Sequence, residues 1–365
     1  MAFSKIHEID PNGDTLLILR NPGAPFAVCY TEEEWPNTLS YHQSSDSTHH
    51  EASVVRTEAL SDNDSGLSDV SSLPQAEPEP RHIRFRLCSQ HLRLASTFFR
   101  TLMRGDWKET ESEPGFKWTV SARDWDHEAF LMLMNIIHHQ TRAVPRTVAI
   151  ETLAKVAVLV DYYGCYQAVE PWAETWIFNL GSDLPIYYAR EILLRLTVAW
   201  VFSDYGAFRL LTKVVIRRSR GPIETLGLPI PQPIVDALEE KRKQTISHLI
   251  LRLQSISNSL NVNKDDSYSS QCQYIQLGYI DQNLFVNGLK PLPDPPFFGF
   301  SLSALDEAMC NFDCFTNCAC QPRSDHMRTL RANVLDCIAI AFKDFEYGLD
   351  LDQFRVEQRG QSSMR

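Results

Sequence analysis

Residues 40 to 80 separate two segments that read as β-strands, and this stretch cannot join a packed core. Eight acidic residues stand there against one basic residue, Arg56, together with ten serines and a terminal group of Pro74, Pro78 and Pro80. Such a composition buries too little apolar surface to offset the entropy of ordering it, and predicts a disordered insertion. Any sheet in this chain must therefore be assembled across a long polar break. Upstream, residues 15 to 19 (TLLIL) form an apolar run between Asn12-Gly13-Asp14 and Asn21-Pro22-Gly23, the pattern of a buried strand between turns. Downstream, residues 82 to 87 (HIRFRL) alternate Ile83, Phe85 and Leu87 against Arg84 and Arg86, the period of a half-buried strand.

The insertion also holds most of the charge. The 365 residues include 35 Lys+Arg and 46 Asp+Glu, a formal charge of -11, with a pI of 5.5. A protein that neutralises phosphates needs a clustered cationic face and usually a pI above about 9, so no nucleic-acid partner is expected. Hydrophobic residues make up 44% of the chain, enough for the cores of roughly two or three domains. The opening MAFSKIHEID has no apolar leader region, and no apolar run approaches the roughly 18 to 20 residues that span a bilayer. The expectation is an intracellular protein, cytoplasmic or nuclear, with no membrane partner and with its nine cysteines as thiols.

Helical periods follow the second strand. Ser89 is placed to cap a short helix through His91 and Leu92, and Ser96 a second one carrying Phe98, Phe99, Leu102 and Met103, stopped at Gly105. Residues 116 to 120 (FKWTV) alternate as a strand. From Asp126 the run HEAFLMLMNIIHH places acids in its first turn and His138 and His139 in its last, matching the helix dipole. Thr147 opens the next helix, with Ile150, Leu153, Ala157 and Val160 on one face. Val169, Trp172, Ala173, Trp176, Ile177 and Leu180 share a face of a further helix, with Pro171 in its first turn. This order predicts an α+β unit over 10–180, a small sheet flanked by helices. From 184 to 258 nothing alternates, and three helices form an all-helical extension, the last opened by Pro231 and Pro233. A polar break at 261–270 precedes a cysteine-containing region, 271–352, of no evident class, and the tail from about Gln353 is expected to fray.

Two passages carry a family likeness: Asp14-Thr-Leu-Leu-Ile-Leu, and Phe85-Arg-Leu-Cys-Ser-Gln-His-Leu-Arg-Leu-Ala-Ser-Thr-Phe-Phe-Arg-Thr-Leu-Met. Together they resemble BTB/POZ domains, in which an Asp precedes the first strand, a His opens the first helix and a Leu-Ala-x-Ser-x-x-Phe pattern closes the helical corner. Val144-Pro145-Arg146 and Val160-Asp161-Tyr162-Tyr163-Gly164-Cys165 are most similar to the versions common in filamentous fungi. The resemblance implies protein interaction: self-association through the BTB fold, or docking on a cullin scaffold as a ubiquitin-ligase adaptor. In such adaptors a hydrophobic-x-Glu element follows the corner, and here Trp107 and Glu109 stand at that position as candidate partner-binding residues. Only Met1 to Pro11 precede the first predicted strand, too few for the leading helix of the dimeric long forms.

A search for chemistry finds little. No two glycines are spaced G-x-G, and no G-x-x-x-x-G-K-[ST], G-x-S-x-G or H-E-x-x-H occurs, so no catalytic role and no cofactor are expected. Cys310, Cys314, Cys318 and Cys320 are the candidate metal ligands, since four thiolates can hold zinc tetrahedrally. The C-x2-C pairs of common zinc sites are missing, however, and spacings of four put Cys310, Cys314 and Cys318 on one helical face with Met309 and Phe315, where thiols pack as small apolar groups. His138 and His139 read as a solvent-facing pair, Trp172 and Trp176 as core, and Arg84 and Arg86 as exposed strand charges within reach of the acidic insertion. Serines followed by acids, as at Ser61, suit acidophilic kinases or an unmodified spacer equally. The reading is a non-enzymatic adaptor or scaffold, linked to a cullin or to transcription, with a metal or redox protein as the alternative from another class.

Overall fold

The computed structural model describes residues 6–28, 82–104, 113–181, 183–262, 270–311, 326–343 and 347–355. Four strands, Ile6–Glu8 (β1), Thr15–Arg20 (β2), His82–Leu87 (β3) and Trp118–Arg123 (β4), form one small sheet in the order β1-β3-β2-β4. β2 runs antiparallel to β3 and parallel to β4, with Leu17 opposite Phe85 on one side and Val120 on the other. This central place explains why β2 is apolar rather than alternating: Leu16, Leu17 and Leu19 are all fully buried. β3 follows the period-two expectation, with Phe85 and Leu87 buried.

After β3 come Ser89–Ala95 (α1) and Thr97–Leu102 (α2), then, beyond β4, His127–Ile137 (α3), a 3-10 turn at Thr141–Ala143, Ile150–Tyr163 (α4) and Tyr166–Leu180 (α5). Arg190–Val201 (α6), Tyr205–Arg218 (α7) and Gln232–Val262 (α8) follow, and then Ser270–Val286 (α9), Leu302–Cys310 (α10) and His326–Lys343 (α11). The result is a mixed α/β protein, dominated by helix. α8 is the spine of its C-terminal half, and α7, α9, α10 and α11 all pack on it. Arg242 of α8 is fully buried and donates to the carbonyls of Pro296, Phe297 and Phe300 at 2.5, 3.4 and 3.2 Å, fixing the loop before α10.

An ionic chain joins the two predicted units where α6 packs against α4. The Lys155 ammonium lies 3.0 Å from Asp126, the N-cap of α3, and 3.2 Å from Glu151. Arg190 reaches Glu151 at 3.0 Å and donates from Nε to the Ala27 carbonyl at 2.8 Å. The Arg190 hydrogen bond holds the Glu151 carboxyl below its ordinary range, ahead of the opposing effect of burial.

Several sequence expectations need correction. β1 was not foreseen, because three residues are too few to display a period; it pairs in parallel with β3, His7 opposite Phe85. β4 starts at Trp118 rather than at Phe116, since the Phe116 amide closes a turn on the Glu113 carbonyl and its ring lies 5.4 Å from the Arg86 guanidinium. Ser89 is not a cap: α1 begins without a side-chain cap, and Ser89 bonds elsewhere. Ser96 does cap α2 through the Phe99 amide. α4 opens at Ile150, after an uncapped Ala149, and not at Thr147. α5 starts at Tyr166, which places Pro171 inside the helix rather than in its first turn. The tail does not fray at Gln353, because Phe354 and Arg355 are docked on α6 and α7.

The bond that replaces the expected Ser89 cap closes the sheet against α1. Asp14, just before β2, accepts from the Ser89 amide at 2.8 Å and from its hydroxyl at 2.7 Å. Burial opposes ionisation, but these bonds hold the carboxyl below its ordinary value. Asp14→Ala is expected to lower unfolding free energy in urea by about 2 kcal/mol at neutral pH, with Asp14→Asn intermediate. The difference between wild type and Asp14→Ala should shrink as pH falls from the ordinary carboxylate value through the depressed native one, where folded Asp14 takes up its proton.

Candidate protein-docking surface

The corner between α1 and α2 is assembled around one buried residue. Ser96, with no exposed surface, accepts from the Phe99 amide at 3.1 Å and donates from Oγ to the Tyr163 carbonyl at the end of α4 at 2.6 Å. Next to it the Thr97 amide bonds the Gly164 carbonyl at 3.4 Å. Gly164 ends α4 with φ +58, and a Cβ there would come within 2.3 Å of Thr97 Oγ1. Only glycine meets both conditions. Arg100 folds back onto the carbonyls of Arg93 and Leu94 at 3.1 and 3.2 Å, satisfying the open end of α1.

Aromatic rings stack on this frame. Phe99 and Tyr163 form the buried floor, parallel with centroids 5.0 Å apart. Phe98 lies 5.4 Å from Tyr162, and Trp125 lies 5.1 Å from Tyr162 and donates from Nε1 to the Tyr163 hydroxyl at 3.2 Å. Burial pushes the Tyr163 hydroxyl well above its ordinary pKa, so it stays a neutral hydrogen-bonding group. Tyr162 is 55% exposed and Leu94, on α1, 76% exposed, with Phe98 and Trp125 half-buried. The outcome is a rigid, partly wet aromatic and aliphatic surface. Sequence reading identified the corner through Phe98 and Phe99; it missed Trp125 and Tyr162, which come from elements that are neighbours only in space.

Of the partner-binding residues predicted from sequence, Trp107 and Glu109 lie outside the described residues. Arg84 and Arg86 are half-buried and engaged within the fold. Arg84 pairs with Glu113, and Arg86 donates from Nε to the Gly13 carbonyl at 3.1 Å. These contacts correct the reading of the two arginines as merely exposed strand charges. Trp176 is core as expected, donating to the Pro145 carbonyl at 2.8 Å, while Trp172 is half-buried beneath Arg146.

The cysteine candidates are not brought together as a described site. Cys314, Cys318 and Cys320 lie outside the described residues. α10 ends at Cys310, whose neighbour Met309 is buried while Cys310 itself is exposed, so the packing expected of Cys310 is not found. The Cys310 thiol lies 3.8 Å from an Asp306 oxygen, and desolvation and that carboxylate raise its pKa, which disfavours thiolate chemistry. Burial pushes the Cys165 thiol up to about 12. Among the described residues no group of three or more His, Cys, Asp or Glu converges as a metal site.

A groove of about 540 Å3 between α5, α6 and α7 is lined by Ile177, Phe178, Leu184, Val198, Leu210 and Leu211 among others. Its charged neighbours are already engaged: Arg195 with Glu191 at 2.8 Å, and Asp204 as N-cap acceptor for the Ala207 amide at 3.0 Å. The groove therefore offers apolar contact and no assembled catalytic constellation. Compared with known proteins, the chain matches no family model, no curated protein and no solved structure.

His138 corrects the solvent-facing histidine pair. It is buried, whereas His139 is exposed. Its Nε2 accepts from the Cys88 amide at 3.0 Å and its Nδ1 lies 2.9 Å from the Met134 carbonyl, which defines a neutral ring with the proton on Nδ1. Burial lowers its pKa, and the His91 ring at 5.2 Å adds to this while Asp10 opposes it. The unfolded chain then binds this proton more readily than the folded one. Stability from this site should be complete above about pH 6.5 and should fall as pH drops below that value. Urea midpoints between pH 8 and 5 measure the fall, which His138→Gln should flatten.

Proposed function

We propose that this chain is a non-enzymatic protein-interaction adaptor on a BTB/POZ-like unit, with a cullin scaffold as its docking partner. The observation that carries this reading is the corner surface: Leu94, Phe98, Trp125 and Tyr162 offer apolar contact area on backbone locked by Ser96 and Gly164. Rigid aromatic anchors lose little conformational freedom on binding, which is why such side chains dominate interface energies. Trp107 and Glu109 follow α2 in sequence and supply the hydrophobic-x-Glu element that the resemblance implies for cullin docking. The engaged state of the charged groups beside the apolar groove supports binding over catalysis.

The test is calorimetric titration of the full chain with the purified N-terminal region of a cullin. Saturable binding is expected. Leu94→Asp combined with Tyr162→Ala, two exposed positions, should weaken it at least tenfold, about 1.4 kcal/mol, with unchanged circular dichroism. Glu109→Ala should also weaken it. No binding by the wild-type chain removes the cullin partner.

A further inference from the structure

The segment after α11 packs on elements far from it in sequence. Residues 347–355 (YGLDLDQFR) lie on α6 and α7, some of their contacts spanning more than a hundred positions of sequence. Gly348 has φ +69, and a Cβ there would meet the Arg209 carbonyl oxygen at 2.1 Å and Thr212 Oγ1 at 2.8 Å. The chain enters this face through a slot that excludes every side chain. The next amide, of Leu349, donates to Thr212 Oγ1 at 2.9 Å, and that hydroxyl, on a fully buried residue, lies 2.8 Å from the Phe208 carbonyl it donates to. Asp350 sits 3.9 Å from Arg209 and accepts the Asp352 amide at 3.2 Å, starting a last helical turn. Leu351 is 1% exposed, and the Phe354 ring lies 6.4 Å from that of Phe208.

Arg355 completes the contact. Its guanidinium lies 4.3 Å from the Trp200 ring centre, and it donates to the Trp200 carbonyl and, at 3.0 Å, to Ser203 Oγ. Ser203 itself adopts φ 58, a left-handed conformation uncommon for serine, at the tight connection between α6 and α7. A glycine slot, a backbone amide clasp, an acid-base pair, two apolar anchors and a stacked arginine lie along one short stretch. The groups that receive Gly348, Leu349, Asp350, Phe354 and Arg355 come from two adjacent helices and the turn between them. These are the parts by which folded domains recognise short linear peptides: backbone bonds for affinity, side-chain pockets for sequence selectivity.

We propose that the α6–α7 face is a peptide-recognition site whose ligand is the chain's own segment 347–355, bound in cis. The pattern it selects is Gly-Leu-Asp-Leu-x-x-Phe-Arg. This assignment is independent of the corner surface and of any cullin.

The test uses the full chain with a protease site in place of residues 344–346, cut after folding, and a fluorescent peptide of residues 347–355. After the cut the protein should keep its helical circular dichroism, and the labelled peptide should exchange into the site saturably. Unlabelled Gly348→Val and Arg355→Ala peptides should compete at least tenfold more weakly than the wild-type peptide. As a second arm, the uncut full chain carrying Gly348→Val should bind the labelled peptide, while the uncut wild type, its site occupied, should not. Unfolding on cutting, failure of the peptide to exchange, equal competition by the variant peptides, or no binding by the uncut Gly348→Val chain would each overturn the proposal.

Discussion

The hydroxyl of Ser96 is sealed from water, so its hydrogen bonds have to be made within the chain, and they tie α2 to the last turn of α4. Removing it would leave the Tyr163 carbonyl and the Phe99 amide short of a partner, at a cost of about 1 to 3 kcal/mol for a buried group. The same contact brings Thr97 so close to Gly164 that no side chain fits there. Phe99 then stacks on Tyr163, and this pair supports Phe98, Tyr162 and Trp125 above it. The exposed corner is therefore a consequence of one buried serine and one glycine, and its stiffness follows from them.

A second set of constraints organises the helices beyond α5. Arg190, at the first turn of α6, bonds the loop after β2 and the carboxylate of Glu151, so the sheet side and the helical side share an ion-pair chain. Such partly exposed pairs add little stability one at a time, but they specify the orientation of α6 on α4. Arg242 acts similarly deeper in the chain. Its two terminal guanidinium nitrogens donate to backbone carbonyls in place of a carboxylate, so the loop at 296–300 has to stay where its oxygens meet those protons.

Sequence reading recovered what repeats or alternates locally. The apolar run of β2, the alternation of β3, the cap at Ser96, the acidic start of α3 and the long face of α8 all express a period, a short-range hydrogen bond or the helix dipole. It failed where the controlling contact is distant. Ser89 looked like a cap because its residue type suits one, yet its hydroxyl is held by Asp14, and His138 looked exposed until the Cys88 amide was found on its ring. No local pattern joins Gly348 to Arg209 or Arg355 to Trp200, so the docking went unread and Phe354 and Arg355 were taken for part of a loose end. The candidate site was half legible for the same reason: Phe98 belongs to a readable helix, whereas Trp125 and Tyr162 reach it through the tertiary fold.

The central claim is that the corner of α1, α2 and the end of α4 is the surface by which this chain binds another protein. Hydrogen–deuterium exchange of the full chain, alone and saturated with the purified cullin N-terminal region, tests it most directly. Slowed exchange in residues 93–104 and 160–166, with α8 to α11 unchanged, is the predicted result. Protection confined to other elements, with the corner exchanging as in the free chain, would contradict it.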